Sequence, residues 1–208
     1  MPQKNTIKEY IPNSYYHIYT RGANKQKIFL EPADYNYFLA LFERYLSGNK
    51  VFSKTGVVYP DYSKEIKLLS YCLMPNHIHI MLFQYDNPRE IRKFMSSLMT
   101  SYSKYFNLKY KRLGSVFESR YKAKRIDNDS YLIHLSRYIH MNPRRWRGYK
   151  YSSLRYVFDP KVPRWLYLSE ILDGFNDSDE YIKFLLDYQE NKDQLEIIKA
   201  QLADSDRK

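Results

Sequence analysis

The chain has 208 residues, enough for one domain with a single buried core. A 44% hydrophobic content excludes a disordered chain, and a mean hydropathy of −0.66 with no long apolar run excludes a membrane span. A net charge of +11 with 23 Tyr and 11 Phe favours a nucleic-acid partner, and a single cysteine, Cys72, excludes an intrachain disulfide or a cysteine-based zinc cluster.

The first segment, MPQKNTIKEYIPNSYYHIY, lacks the uninterrupted apolar stretch of a signal peptide, which predicts a cytoplasmic protein. Residues 15–21 (YYHIYTR) are rich in β-formers and predict a strand, followed by a turn at Gly22 and Asn24. Pro32 sits where a first helical turn tolerates it. Tyr35, Phe38, Leu39, Phe42, Tyr45 and Leu46 recur at helical spacing, predicting a helix over 33–47 that Gly48 and Asn49 end. Residues 51–63 fit either a loop or a hairpin. Residues 66–73 and 77–84 predict two strands separated by the turn Met74-Pro75-Asn76. Asn87 suits an N-cap and Pro88 a first helical residue, opening a helix with the stripe Ile91, Met95, Leu98, Tyr102, Tyr105 and Phe106, down to about 108. Residues 120–126 (RYKAKRI) alternate and predict a strand. Residues 128–130 cap a third helix carrying Leu132, Leu135 and Ile139, which Pro143 ends. A loop through Pro163 precedes one or two acidic helices between 169 and 202 and a frayed tail.

The order strand, helix, strand, strand, helix, strand, helix suggests an α+β sandwich, an antiparallel sheet with helices packed on it. A ferredoxin-like or RRM-like arrangement is the natural candidate, with a C-terminal helical extension.

The surplus charge is concentrated. Residues 1–88 carry +3 and residues 151–208 carry −4, whereas 89–150 hold 16 Lys/Arg against 4 Asp/Glu. Solubilising lysines would not segregate this way, so the block, with its nine arginines, reads as a phosphate-binding surface.

His77 and His79 flank Ile78 in the run MPNHIHIML. On a strand, residues two apart share a face with Cα atoms about 6.5–7 Å apart, so the two imidazoles can converge on one metal ion while Ile78 and Ile80 enter a core. A bare His-x-His also describes an exposed alternating strand. On the third helix, Tyr138 and Asn142 are four apart and lie on one side. They sit roughly 90° from the centre of the Leu132, Leu135, Ile139 stripe, so they can look into a cleft at its edge. A phenol, with a pKa of about 10, needs a nearby cation or a polarised phosphate to attack at neutral pH. Asn142 offers a carbonyl oxygen as a third ligand for a hard ion. As one of 23 tyrosines, Tyr138 taken by itself reads first as a packing or surface aromatic.

The run YCLMPNHIHIML, a basic helix, GSVFESRYKAKRI and LIHLSRYIHMNPRR together resemble the single-tyrosine transposases, DNA endonucleases with a His-hydrophobe-His motif. The resemblance is strongest to the REP-associated tyrosine transposase branch, to which YHIYTRGANKQKIF and ADYNYF are also similar. It covers residues 10–155 and leaves the acidic residues 156–208 as an extension without a matching motif. It implies an RRM-like sandwich, His77 and His79 as catalytic ligands of Mg²⁺ or Mn²⁺, and Asn142 as the third, polar ligand. Tyr138 is then the nucleophile that becomes joined to a DNA 5′-phosphate.

The implied activity is a metal-dependent endonuclease and strand transferase for single-stranded or hairpin DNA, cytoplasmic and nucleoid-associated, with no membrane partner. Arg120, Lys122, Lys124, Arg125, Arg144 and Arg145 of the basic segment are the candidate DNA contacts. Arg21 and Lys25 join them from the first turn, Lys25 standing where relatives often carry a second Arg. Two rivals account for part of the pattern. A non-catalytic or domesticated nucleic-acid-binding module explains the charge and the tyrosines but not the His and Tyr-Asn pairs. A water-activating metal hydrolase would want more ligands near the pair, where the nearest acids downstream are Asp86 and Glu90. The sequence leaves open a homodimer, with Tyr138 serving its own subunit's histidines or a partner's.

Overall fold

In the computed structural model, which describes residues 10–159 and 161–187, the chain runs β1 (Ser14–Arg21), α1 (Pro32–Leu46), β2 (Ile66–Met74), β3 (His77–Gln84), α2 (Glu90–Lys109), β4 (Lys122–Ile126), α3 (Asp129–His140), α4 (Ser169–Leu172) and α5 (Ser178–Leu186). The strands form one antiparallel sheet in the order β2-β3-β1-β4. This is the α+β sandwich with ferredoxin-like order that the element sequence suggests.

Strand alternation divides the sheet into two chemically different faces. Ile18, Ile78, Ile80 and Leu82 are fully buried on one. There Tyr71, opposite Ile80, meets Phe42 of α1 with ring centroids 5.5 Å apart, and Phe38 of α1 meets Tyr102 of α2 at 5.0 Å. The second face presents His17, Tyr19 and His79, and α3 lies against it, with the Tyr138 and His17 rings 6.3 Å apart. Asp34 ties the start of α1 to the end of α2. Its fully buried carboxylate accepts from Lys109 Nζ (2.6 Å), Tyr110 (2.8 Å), Tyr105 (3.0 Å) and the Leu30 backbone N–H (2.8 Å). Burial alone would raise this carboxyl's pKa, but the Lys109 ammonium and the other donors hold it below the usual range.

Several expected boundaries move. Asn87 and Pro88 do not open α2, which starts at Glu90 with Arg89 as N-cap. Asn87 instead makes the preceding turn, its Oδ1 accepting from the Arg89 N–H (3.1 Å) and its Nδ2 donating to Glu90 (2.9 Å). Strand β4 begins at Lys122, not 120, because the chain before it pairs beyond the end of β1: Phe117 bridges Gly22 and the Glu118 N–H donates to the Arg21 carbonyl. Leu41, not Leu39, is buried in α1, and Tyr105 is half-buried because its hydroxyl reaches Asp34. Residues 51–63 close as a hairpin by a single bridge, Phe52 to Val58. Within the expected loop through Pro163, Ser153–Val157 form a 3₁₀ turn. The acidic helices appear as α4 and α5, and their expected continuation over 188–202, like the tail, lies outside the described residues.

The basic block yields less free positive surface than its composition suggests. Arg137 of α3 is fully buried, its guanidinium 3.6 Å from the Phe184 ring centre and donating to the Phe184 carbonyl of α5. Lys109 is paired with Asp34 and Glu31. Periodicity marks an Arg as solvent-facing, but α5 covers that side of α3. Beside Arg137, His140 is also fully buried, between the Tyr181 hydroxyl (2.7 Å from Nδ1) and Ser153 Oγ (2.8 Å from Nε2).

Burial lowers the pKa of His140, and of the equally buried His17, to about 3. Below pH 6.5 the unfolded chain takes up protons that these folded imidazoles refuse. Their stabilisation is therefore complete above about pH 6.5 and is lost as pH falls toward 3. At pH 4.5 the loss is about 3 kcal/mol per histidine, at 1.4 kcal/mol per pH unit. Urea midpoints are expected to drop between pH 7.5 and 4.5, and to drop less in His140→Asn. An equal drop in the variant would remove His140 from the acid response.

Candidate active site

The register of β1 on β3 assembles the site. Arg21 lies opposite His77, Tyr19 opposite His79 and His17 opposite Met81, so the alternating residues of both strands share one face. The His77 and His79 rings stand 5.1 Å apart at 85°, on the face that strand alternation gives them both. Asn128 caps α3 by accepting from the Tyr131 N–H (2.6 Å), which sets the helix start, and Pro143 follows its end. The helix thereby places the Tyr138 ring 5.3 Å from that of His79, edge-on at 89°. Asn142, just past the helix, brings Oδ1 to 3.0 Å from His77 Nε2. Both pairs singled out in the sequence therefore meet within one chain.

His17 joins them, though the sequence offered little reason to choose it. Its Nε2 is 3.0 Å from His79 Nδ1, with the rings stacked at 5.2 Å. The alternation HIY on β1 parallels HIH on β3, but only strand pairing shows that the two histidines touch. Burial, and then the Lys124 charge, push His17 down to about 3. Burial, and then His17, His77 and Arg21, hold His79 well below the ordinary imidazole value. Both rings are neutral at pH 7, and one N–H serves the bond between them.

Asn76 orients His77. Its Nδ2 donates to the Lys25 carbonyl (3.3 Å), leaving Oδ1 to accept from His77 Nδ1 (2.7 Å). A neutral His77 then carries its proton on Nδ1, and its Nε2 lone pair faces the Asn142 oxygen. Two acceptors 3.0 Å apart repel, and a second proton or a cation between them removes the repulsion. This is the way an outer hydrogen bond fixes the tautomer of a metal-binding histidine. Imidazole nitrogen from His77 and His79 with the Asn142 amide oxygen is a mixed nitrogen and oxygen donor set of the kind that suits Mn²⁺. Among the described residues no cluster of three His, Cys, Asp or Glu could hold a metal.

A cavity of about 320 Å³ opens in front of these groups, lined by Tyr19, Arg21, His77, His79, Arg120, Lys122 and Tyr138. Of the expected DNA contacts, Arg21, Arg120 and Lys122 thus reach the site. Glu118, which sequence reasoning missed, lines it too, brought there by the backbone bond to Arg21. The other contacts fall elsewhere. Lys25 is exposed and serves the site through its backbone carbonyl. Lys124 shares the histidine face but lies 4.6 Å from the Tyr131 ring centre. Arg125, one residue on, points to the opposite face and pairs with Asp127 at 2.6 Å. Arg144 and Arg145 are exposed beyond Pro143.

Residues 10–142 match the family model described as Transposase IS200 like, a span that holds both histidines, Tyr138 and Asn142. The chain belongs to this family. The fold of this IS200-like transposase is similar to the solved structure of a REP-associated tyrosine transposase bound to a REP hairpin. The TM-score is 0.51 at 15% identity, over 76% of this chain and 88% of that one. A chain assigned as a transposase from Deinococcus radiodurans R1 gives a TM-score of 0.39 at 12% identity, over 64% and 94%. No curated protein matches the transposase in sequence. Among its described residues no helix is long and apolar enough to cross a membrane.

Proposed function

We propose that this transposase is a metal-dependent endonuclease and strand transferase for single-stranded DNA at hairpins or repeats, with Tyr138 as its nucleophile and the cytoplasmic nucleoid as its place of action. The observation that carries this reading is the Tyr138 ring standing 5.3 Å from His79 over a cavity walled by Arg21, Arg120 and Lys122. A tyrosine, two converging imidazoles and three cations are the groups a phosphodiester needs for attack on phosphorus. The REP hairpin held by the structurally similar transposase supports a folded single strand as substrate.

Arg21, Arg120 and Lys122 neutralise the scissile phosphate and its neighbours and orient them. The Tyr138 oxygen forms a bond to phosphorus in line with the bond that breaks, to the 3′-oxygen. The phenol loses its proton and the departing 3′-oxygen gains one. His77, His79 and Asn142 would hold a Mg²⁺ or Mn²⁺ ion, which would supply Lewis-acid polarisation of a phosphate oxygen. The phosphotyrosine keeps the energy of the phosphodiester, so a second 3′-hydroxyl can reverse the step and rejoin strands. One chain brings Tyr138 to its own histidines, and the reading needs no second copy.

Labelled hairpin oligonucleotides incubated with the protein and Mn²⁺, then run on a denaturing gel, are expected to give a protein–DNA adduct whose peptide maps to Tyr138. Hairpin binding with no adduct would replace the enzyme by a nucleic-acid-binding module. Cleavage with no adduct would replace it by a hydrolase.

A further inference from the structure

A second, wider cavity of about 1140 Å³ adjoins the first, and Ser119 and Arg120 line both. Its far wall is the outer side of α2 and the loop after it, where Arg92, Lys104 and Arg112 contribute, with hydroxyls and the Asn107 amide between them. No carboxylate lines it. Neither Arg92 nor Lys104 has an acidic partner within ion-pair distance among the described residues, and both are exposed. Phe117 and Tyr121 on its floor are buried, which leaves the groove no aromatic platform for base stacking. The groove therefore offers cations and neutral donors, the groups that hold a sugar–phosphate backbone irrespective of sequence.

We infer that this groove binds the backbone of the DNA segment adjoining the one in the catalytic cavity, the strand passing from one to the other across Ser119 and Arg120. The inference rests on the DNA-cleaving reading above and adds a site to it. Arg92 and Lys104 are twelve residues apart on α2, about 18 Å of helix. That is the length of about five nucleotides of a B-form strand at 3.4 Å each. An acidic protein segment would also meet cations here, but nothing would lead it into the cavity of the histidines.

The test uses two kinds of hairpin, a short one that keeps a single nucleotide beyond the cleavage position and an extended one lengthened by about five further nucleotides at either end in turn. The full chain and its Arg92→Ala/Lys104→Ala/Arg112→Ala variant are compared for affinity over a salt series. Wild type is expected to bind the extended hairpin about tenfold more tightly than the short one. The variant is expected to lose that difference, with the magnitude of its salt slope smaller by about 2–3 for the extended hairpin alone. The Tyr138 adduct on the short hairpin is expected to be unchanged, which shows that the variant is folded. Equal affinity and slope for variant and wild type on the extended hairpin, with the adduct intact, would overturn the groove and leave the catalytic reading standing. Wild type that binds neither hairpin would overturn both.

Discussion

Replacing Tyr138 by Phe is expected to abolish the covalent DNA adduct and to leave hairpin affinity within about twofold, since a neutral ring outside the phosphate contacts adds little to binding. The substitution removes one oxygen and keeps the ring that packs edge-on against His79 and His17. The imidazole geometry and the cationic wall of Arg21, Arg120 and Lys122 should therefore persist. The measurement is a denaturing gel for the adduct beside an equilibrium binding curve for the same hairpin. Tyr19 makes the result informative, because it lines the same cavity and its ring lies 6.1 Å from that of His79. Tyr19→Phe is expected to retain the adduct. An adduct that survives in Tyr138→Phe and disappears in Tyr19→Phe would move the nucleophile from the helix to the strand.

His77→Ala is expected to lower Mn²⁺-dependent cleavage by at least about 10²-fold, the scale on which one electrostatic stabiliser of a transition state is lost. The ring is partly exposed at the start of β3, so its removal leaves the isoleucine face of the sheet untouched. It takes away the nitrogen that faces Asn142 Oδ1 and leaves Asn76 without its histidine. Calorimetric titration of Mn²⁺ into both proteins should show weaker binding by the variant. Cleavage that is unchanged in the variant, and unchanged by EDTA in wild type, would remove the metal and His77 from the chemistry together.

The two pairs were legible in the sequence for a local reason. A strand repeats every two residues and a helix every 3.6, so His77 with His79, and Tyr138 with Asn142, each share a side before any tertiary contact forms. The same periodicities exposed Ile78, Ile80 and the α3 stripe as core. They failed where a long-range partner reassigns a side chain. Arg137 reads as a surface cation until α5 sets Phe184 on it. Lys109 reads as part of a phosphate surface until α1 presents Asp34. Glu118 enters the cavity because its N–H pairs with Arg21, nearly one hundred residues earlier in the chain.

By itself the amino-acid order determined the kind of fold, the faces of its elements and the residue types available for phosphate chemistry. These follow from local backbone periodicity and from side-chain polarity, which neighbours in the chain suffice to express. Only the tertiary structure decided that His17 is hydrogen-bonded to His79, that Asn76 sets the tautomer of His77, and that Tyr138 faces the histidines of its own chain. Those relations depend on the β1–β3 register and on α3 lying across the sheet. Both are set by burying the isoleucine face on one side and the α3 stripe on the other, a balance to which residues far apart in the chain contribute together.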